Sequence, residues 1–322
     1  MSDKYCVFHV QGGLGKHVAS TAVARAIKNN YPDRKLIVVC VYTEVFINLG
    51  WVDRVYQLGN TQYFYSEYIE NVDSLIFHNE PYFTTDHIHK RLPLIQTWCK
   101  LYNLEYNGEQ PEIVFNKLQK DISSQHWRQG NKPVMVIHTN GGIHNDQSRK
   151  YCWARDMPHD VAQQIVDKYH KKYTIYQVCK QYSDRLNNAH IVDQPMSNME
   201  LFSLILNSDK RILIDSCLQH AAAALGLSSI VLWNGTSPKV FGHDLHTNIV
   251  AKEPGNFKLP GSLYFDFDFL GQEQEYPYLE DVELFNIEDI LIALDDDGVV
   301  NDPAGFKGIK TSKNIVKGFG SK

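Results

Sequence analysis

The 322-residue chain contains no apolar run near the ~20 residues that a membrane-crossing helix needs. Stable insertion into a bilayer is therefore not expected. The opening Met1-Ser-Asp-Lys-Tyr-Cys-Val-Phe runs almost directly into a strand-like stretch and lacks the pattern of a secretory signal. Six cysteines (Cys6, Cys40, Cys99, Cys152, Cys179, Cys217) are scattered without a Cys-x-x-Cys pair. Several fall in apolar patterns, as reduced buried thiols do, which points to a reducing, cytoplasmic location with peripheral attachment to an inner membrane left open. The charge is not strongly of one sign. A net −5 argues against broad capture of nucleic acid but permits a local basic groove. No tandem repeat of the solenoid kind is visible. No His/Asp/Glu cluster has metal-ligand spacing. His87 and His89 would point to different faces of a helix, and Asp266 and Asp268 read as a solvated strand edge. No metal and no cofactor are expected.

What is present is a βα rhythm. Hydrophobic residues make up 43% of the chain, enough for one large core or two ordinary ones. Tyr5–Val10 and Lys35–Val41 read as buried strands flanking a helical Val18–Ile27, a βαβ start. Strands are expected at Val52–Leu58, Ser74–His78 and Glu112–Phe115, with a helix over His87–Tyr102 that Pro93 should kink or restart. A polar, charged passage near 120–132 suggests a domain boundary. A second βα series follows: a strand at Val134–His138, a helix at Pro158–Lys168, a strand at Tyr173–Val178 and a helix at Asn198–Leu206. Ser197 or Asn198 is the candidate cap of that helix, with Glu200 close behind. A last helix is expected at Asn286–Leu294. The lysine-rich end reads as a flexible basic tail. The expected units are thus 1–125, 132–300 and a tail over 301–322.

The most informative stretch is Leu213-Ile-Asp-Ser-Cys-Leu-Gln-His-Ala-Ala-Ala-Ala-Leu-Gly226, followed by Ile230-Val-Leu-Trp-Asn-Gly-Thr-Ser-Pro238. It reads as strand, polar turn, small-residue helix, strand and loop. Asp215, Ser216, His220 and the 234–238 loop then share the carboxyl edge of two adjacent parallel strands, where open sheets bind ligands. Four alanines let the helix start lie close to the sheet, and its free N–H groups favour an anion such as a diphosphate.

This stretch resembles the nucleotide-sugar site of the heptosyltransferase-like glycosyltransferases (glycosyltransferase family 9), whose pattern there is Asp-Ser/Thr-Gly-x-x-His-x-x-Ala-Ala and then a strand ending in Gly-Pro-Thr-x-Pro. Asp215, Ser216, His220, Ala222, Ala223, Gly235, Thr236 and Pro238 match. Cys217 replaces the glycine, and Asn234-Gly235 replaces Gly-Pro. The resemblance implies an α/β GT-B fold, with two Rossmann-like domains and a cleft between them. The N-terminal domain would take the acceptor and the C-terminal domain the nucleotide diphosphate-sugar.

Gln11-Gly-Gly-Leu-Gly-Lys-His17 resembles the first glycine turn of the same family, so Gly12, Gly13 and Gly15 would face the acceptor. The family follows the last glycine with an acidic residue, its proposed base; Lys16 stands there instead. An acceptor hydroxyl must lose its proton during transfer. His17, next in line, can be tuned to that task. Asp86 and His87 are further candidates, and Lys90 and Arg91 complete a polar acceptor-side segment. As a P-loop the stretch fails twice: Val10 stands where the first glycine belongs, and His17 where the Ser/Thr that holds magnesium belongs.

His138-Thr-Asn-Gly-Gly142 and Ser148-Arg-Lys-Tyr-Cys-Trp153 supply hydroxyls, amides and cations. The resemblance implies that Thr139 and Asn140, with Lys150 or Arg149, hold the diphosphate, and that Lys180 and Asp184 reach the nucleotide base. The reaction implied is metal-independent, inverting transfer from a nucleotide diphosphate-sugar donor to a glycan or lipid-linked, lipopolysaccharide-type acceptor. A modified base in phage DNA is an alternative acceptor. A nucleotide-sugar-binding protein without turnover is a second alternative, and a P-loop-like ATPase a third.

Overall fold

The computed structural model describes residues 4–142, 152–192, 196–252 and 283–296. The chain begins with β1 (Lys4–Val10), α1 (Leu14–Asn30), β2 (Lys35–Cys40), β3 (Arg54–Gln57), α2 (Phe64–Tyr68), β4 (Asp73–Phe77), α3 (Thr85–Ile88), α4 (Leu94–Leu101) and α5 (Lys117–Trp127). It continues with β5 (Val134–His138), α6 (His159–Tyr169), β6 (Thr174–Val178), β7 (His190–Val192), α7 (Asn198–Leu206), β8 (Lys210–Ile214), α8 (Cys217–Ala224), β9 (Ile230–Trp233), α9 (Pro238–Phe241), β10 (Thr247–Val250) and α10 (Ile287–Asp295).

The strands form two parallel sheets, one ordered β3-β2-β1-β4 and the other β10-β9-β8-β5-β6-β7. In the first, the chain moves outward from β1 through β2 to β3 and then returns to the other side of β1 as β4. In the second it moves from β5 through β6 to β7 and returns beside β5 as β8. Each sheet therefore has one place where successive crossovers diverge, between β1 and β4 and between β5 and β8. Ligands of open α/β sheets bind outside the strand carboxyl ends at such places.

Alternation along the strands sets the layers. Val134 and Val136 of β5 face a core that also holds Phe8, Val38, Leu213 and Val231, so one apolar cluster joins the two sheets. Met135 and Ile137 face the opposite side, against Val161 and Ile165 of α6 and Ile290 of α10. Period-two side chains covered on both faces are what buried parallel strands require. Between the sheets α1 packs on α8, where a helix of small residues permits close approach.

Two expectations are corrected. The helix expected over His87–Tyr102 is two short ones, because the α3 turn ends at His89 and Pro93 restarts the helix as the N-cap of α4. Glu112–Phe115 is not a strand: its edge groups go elsewhere, Glu112 N–H to Thr21 Oγ1 at 2.8 Å and Ile113 N–H to Ala224 O at 3.4 Å. The polar passage near 120–132 contains α5, opened by an Asn116–Gln119 capping box. That helix packs on the second sheet's side, with Trp127 Nε1 donating to Ser203 Oγ at 2.8 Å and Asn207 Nδ2 to Ser123 Oγ at 3.0 Å. The expected cap of α7 is Ser197, in a capping box with Glu200.

Candidate functional site

The turn after β1 is built from glycine for two separate reasons. Gly12 has φ +95°, a conformation that side chains with a Cβ rarely adopt. Gly15, inside the first turn of α1, lies against the second sheet's machinery. A Cβ there would come within 3.0 Å of His220 Cδ2 and 3.2 Å of Cys217 Cα. The divergence point of the first sheet is thereby pressed against the start of α8. Gly13 is the N-cap of α1 and has open space where its Cβ would be.

Lys16 turns toward the segment after β4. It is buried, its ammonium ion-paired with Glu80 just beyond β4, 5.0 Å from the Tyr82 ring centroid and 5.3 Å from that of Trp98. Burial pulls its pKa down, and the Glu80 carboxylate opposes that shift. This pair ties the first turn of α1 to the segment just beyond β4.

His17, expected as the proton acceptor, is fully buried. Its Nδ1 lies 2.9 Å from Gly13 O, and its Nε2 accepts from Val41 N–H at 3.2 Å. This fixes one neutral tautomer, in which Nδ1–H donates to the carbonyl. Neither nitrogen is left for an acceptor hydroxyl, so the ring braces the glycine turn against the end of β2. Asp86 is held by Lys100 at 2.6 Å and faces Arg91 at 3.9 Å. His87 is buried between the rings of Tyr82 at 4.9 Å and Phe241 at 5.7 Å, and burial lowers its pKa to about 4. It serves as a bridge from the segment after β4 to α9. Lys90 and Arg91 are exposed on the same segment.

The second sheet's divergence point is pinned by His138 and Ser216, whose Nδ1 and Oγ lie 2.9 Å apart. Ser216 also caps α8, its oxygen accepting from Leu218 N–H at 3.3 Å. Its hydroxyl proton is then free to be given to the imidazole. Asp215 is buried at the same turn. Burial raises its pKa, while the Arg155 guanidinium and the neighbouring Thr236 hydroxyl counter the rise.

Thr139 and Asn140 are turned into the protein rather than outward. Thr139 donates to Asn140 Oδ1 at 2.9 Å, and Asn140 Nδ2 donates to Asp156 Oδ2 at 3.0 Å. Asp156, absent from the expected site residues, organises the loop. It also accepts from Gly141 N–H at 3.0 Å and Cys152 N–H at 2.8 Å. The Gly-Thr-Ser-Pro loop docks on this turn: Asn234 Nδ2 donates to the carbonyls of Trp153 and Asp156, each at 2.8 Å, and Gly235 N–H to Ala154 O at 2.8 Å. Gly235 has no room for a side chain, since a Cβ would meet Ala154 Cβ at 3.0 Å. Lys180 is buried beside Gly142, whose missing Cβ would lie 3.4 Å from Lys180 Nζ. The carbonyl of Asp184 accepts from Gln177 Nε2 at 3.0 Å. Arg149 and Lys150 lie outside the described residues, as does the 301–322 tail.

His220 belongs to a cluster that the sequence reading overlooked. Its Nδ1 lies 2.9 Å from His243 Nε2, and His246 Nε2 lies 2.9 Å from Gln219 O. All three are buried, and desolvation lowers His220 to about 3 and His246 to about 4. His243 and His246 stand three apart in the loop after α9, a spacing with little meaning until the fold brings them to His220. Arg155 was also missed; it is close enough to lower the pKa of both Asp215 and His220. Among the described residues, no group of His, Cys, Asp and Glu is arranged to hold a metal ion, and no helix is long and apolar enough to cross a membrane.

No protein-family model and no curated protein matches this chain. Solved structures do. A glycosyl transferase family 9 protein from Veillonella parvula superposes with a TM-score of 0.62, covering 91% of this chain and 96% of that one at 10% identity. The ADP-heptose lipopolysaccharide heptosyltransferase II of E. coli gives a TM-score of 0.58 at 12% identity, over 81% of this chain and 96% of that one. The E. coli heptosyltransferase WaaC with ADP gives 0.51 at 10% identity, over 77% and 93%. The fold is GT-B. In GT-B terms, the turn after β1 belongs to the first half, the 213–238 stretch to the second, and Gly15 marks their point of contact.

Proposed function

We propose that this chain is a glycosyltransferase that moves a sugar from a nucleotide diphosphate-sugar of the ADP-heptose type to a glycan acceptor of the lipopolysaccharide type. The observation that carries the reading is the apposition of the two divergence points: Gly15 of the β1 turn lies against Cys217 and His220 at the head of α8. A ligand seated beside that contact touches both halves, as group transfer between two bound substrates requires. The heptosyltransferase structures of the same fold, one with ADP, support the choice of donor.

In this reading the α8 amino end, capped by Ser216, receives the diphosphate. Asp215, Thr236 and Gly235 shape the nucleotide side. The Arg155 and Lys180 cations, with Arg149 and Lys150 earlier in the sequence, offset charge on the leaving diphosphate. Because the chain supplies that charge, the reaction as proposed needs no divalent ion; single displacement with inversion is what the family resemblance implies. Thr139, Asn140 and Asp156 hold the turn after β5 together.

A thermal-shift screen against ADP, UDP, GDP, CDP and their sugar conjugates, with and without Mg²⁺, tests the donor assignment. Ligand at 100 times its dissociation constant adds about 2.7 kcal/mol. The expected result is a shift with one nucleoside diphosphate that does not depend on Mg²⁺. A shift with ATP and Mg²⁺ alone would contradict the reading.

A further inference from the structure

Transfer to a hydroxyl needs a proton acceptor at the acceptor side of the cleft, and the carboxylates near the two facing edges differ sharply in availability. Asp156 is 1% exposed and already accepts three hydrogen bonds. Asp215 is buried beneath the α8 turn on the donor side. Asp86 is bound by Lys100. Glu44, after β2, accepts from Asn198 at 2.5 Å.

Glu80 is different. Its side chain is 31% exposed. It follows β4, which pairs in parallel with β1 through Phe77 opposite Phe8, so it emerges level with the start of the glycine turn. One oxygen, Oε2, is held by Lys16. The other, Oε1, has no hydrogen bond among the described residues. The Lys16 ammonium that orients it also rests 3.8 Å from the space a Gly12 Cβ would fill, so the carboxylate is tied to the turn that meets α8 through Gly15. A second thread crosses the cleft from the same segment: Tyr82 touches His87, His87 touches Phe241, and Phe241 O accepts from Gln219 Nε2 at 2.9 Å beside His220.

Resting on the transferase reading above, we propose that Glu80 is the general base of the reaction and that Lys16 is its positioning residue. The acceptor oxygen bonds to the anomeric carbon of the donor. The bond from that carbon to the diphosphate oxygen breaks, and its electron pair leaves with the nucleoside diphosphate. The hydroxyl proton passes to Glu80 Oε1 and then to water. The carboxylate thus comes from the end of β4, while a lysine occupies the first turn of α1.

The test compares wild type with Glu80→Gln and with the double variant Lys16→Met/Glu80→Gln, which avoids leaving a buried lone ammonium. Donor binding is read as the thermal shift produced by ADP. Turnover is read as ADP release from ADP-heptose with a lipopolysaccharide acceptor that lacks heptose. The expected result is a fall of at least about 100-fold in kcat for both variants, with the ADP shift retained, in keeping with loss of a general base. Addition of formate to Glu80→Ala is expected to restore part of kcat, which a purely structural role does not explain. A working wild type with a folded double variant that keeps kcat within threefold overturns the assignment of Glu80. A wild type that neither binds nor consumes any nucleotide diphosphate-sugar overturns the transferase reading itself.

Discussion

Gly15 and His220 touch across the two halves of the protein: the place of a Gly15 Cβ is 3.0 Å from His220 Cδ2. Two βα turns from different sheets meet there with no room for a side chain at Gly15. The nearest backbone atom, Cys217 Cα at 3.2 Å, cannot swing aside as a flexible side chain would. Gly15→Ala is therefore expected to destabilise the fold by about 1–3 kcal/mol, the usual range for overpacking, and to weaken donor binding. Gly13→Ala, with nothing within 4 Å of its Cβ, should change stability by less than about 1 kcal/mol. Urea unfolding of both variants checks the pair. Equal losses would contradict the contact.

Asp156 carries the loop after β5 on three hydrogen bonds from Asn140, Gly141 and Cys152. Asp156→Ala leaves those donors unpaired in a buried place and should cost at least about 3 kcal/mol. Asp156→Asn keeps the shape but turns an amide toward donors, so an intermediate loss is expected. The ADP-induced thermal shift should shrink in both. A shift unchanged in a folded Asp156→Ala protein would separate this loop from the diphosphate.

His17 is expected to behave as a brace. Its two ring nitrogens are spent on Gly13 O and Val41 N–H. His17→Ala removes both bonds and opens a cavity, for a loss of about 2 kcal/mol or more. In the folded fraction, kcat should stay within about tenfold of wild type, below the losses typical of a missing base. A kcat loss of 100-fold or more with little change in melting temperature would return His17 to the chemistry.

Acid should unfold the protein through its buried imidazoles. His138 and His246 are depressed to about 4 and His220 to about 3, chiefly by desolvation. In the unfolded chain these rings take a proton near 6.5. Between about 6.5 and 4 the unfolded state binds more protons, so stability rises with pH there. The stabilisation is complete above about 6.5 and is lost as pH falls toward 4. Each such ring steepens the dependence by at most ~1.4 kcal/mol per pH unit. A melting temperature that is flat across that window would contradict the burial of the cluster.

The sequence was most legible where one physical signal dominated. β5 and α7 fall within the ranges that apolar runs and a Ser-x-x-Glu cap predict, and the 213–238 stretch is strand, helix and strand as read. The two-sheet GT-B architecture was legible from that rhythm together with the motif resemblance. Side-chain roles were less so. Thr139 and Asn140 carry the right chemistry for a ligand, but Asp156, sixteen residues beyond Asn140, draws their polar groups inward. Lys16 and Glu80 lie sixty-four residues apart in sequence, and only the β1–β4 pairing makes them neighbours. His243 and His246 acquire meaning in the same way. Helix α5 was missed because its exposed, polar composition resembles a linker, although Asn116 and Gln119 form a capping box that the sequence displays.

The most direct measurement is nucleotide release followed by phosphorus NMR, with ADP-heptose and a lipopolysaccharide acceptor lacking heptose, in the presence of EDTA. ADP is expected to form only when protein, donor and acceptor are together, undiminished by the chelator. No consumption of ADP-heptose, nor of UDP-, GDP- or CDP-sugars with the same acceptor, would contradict the transferase reading.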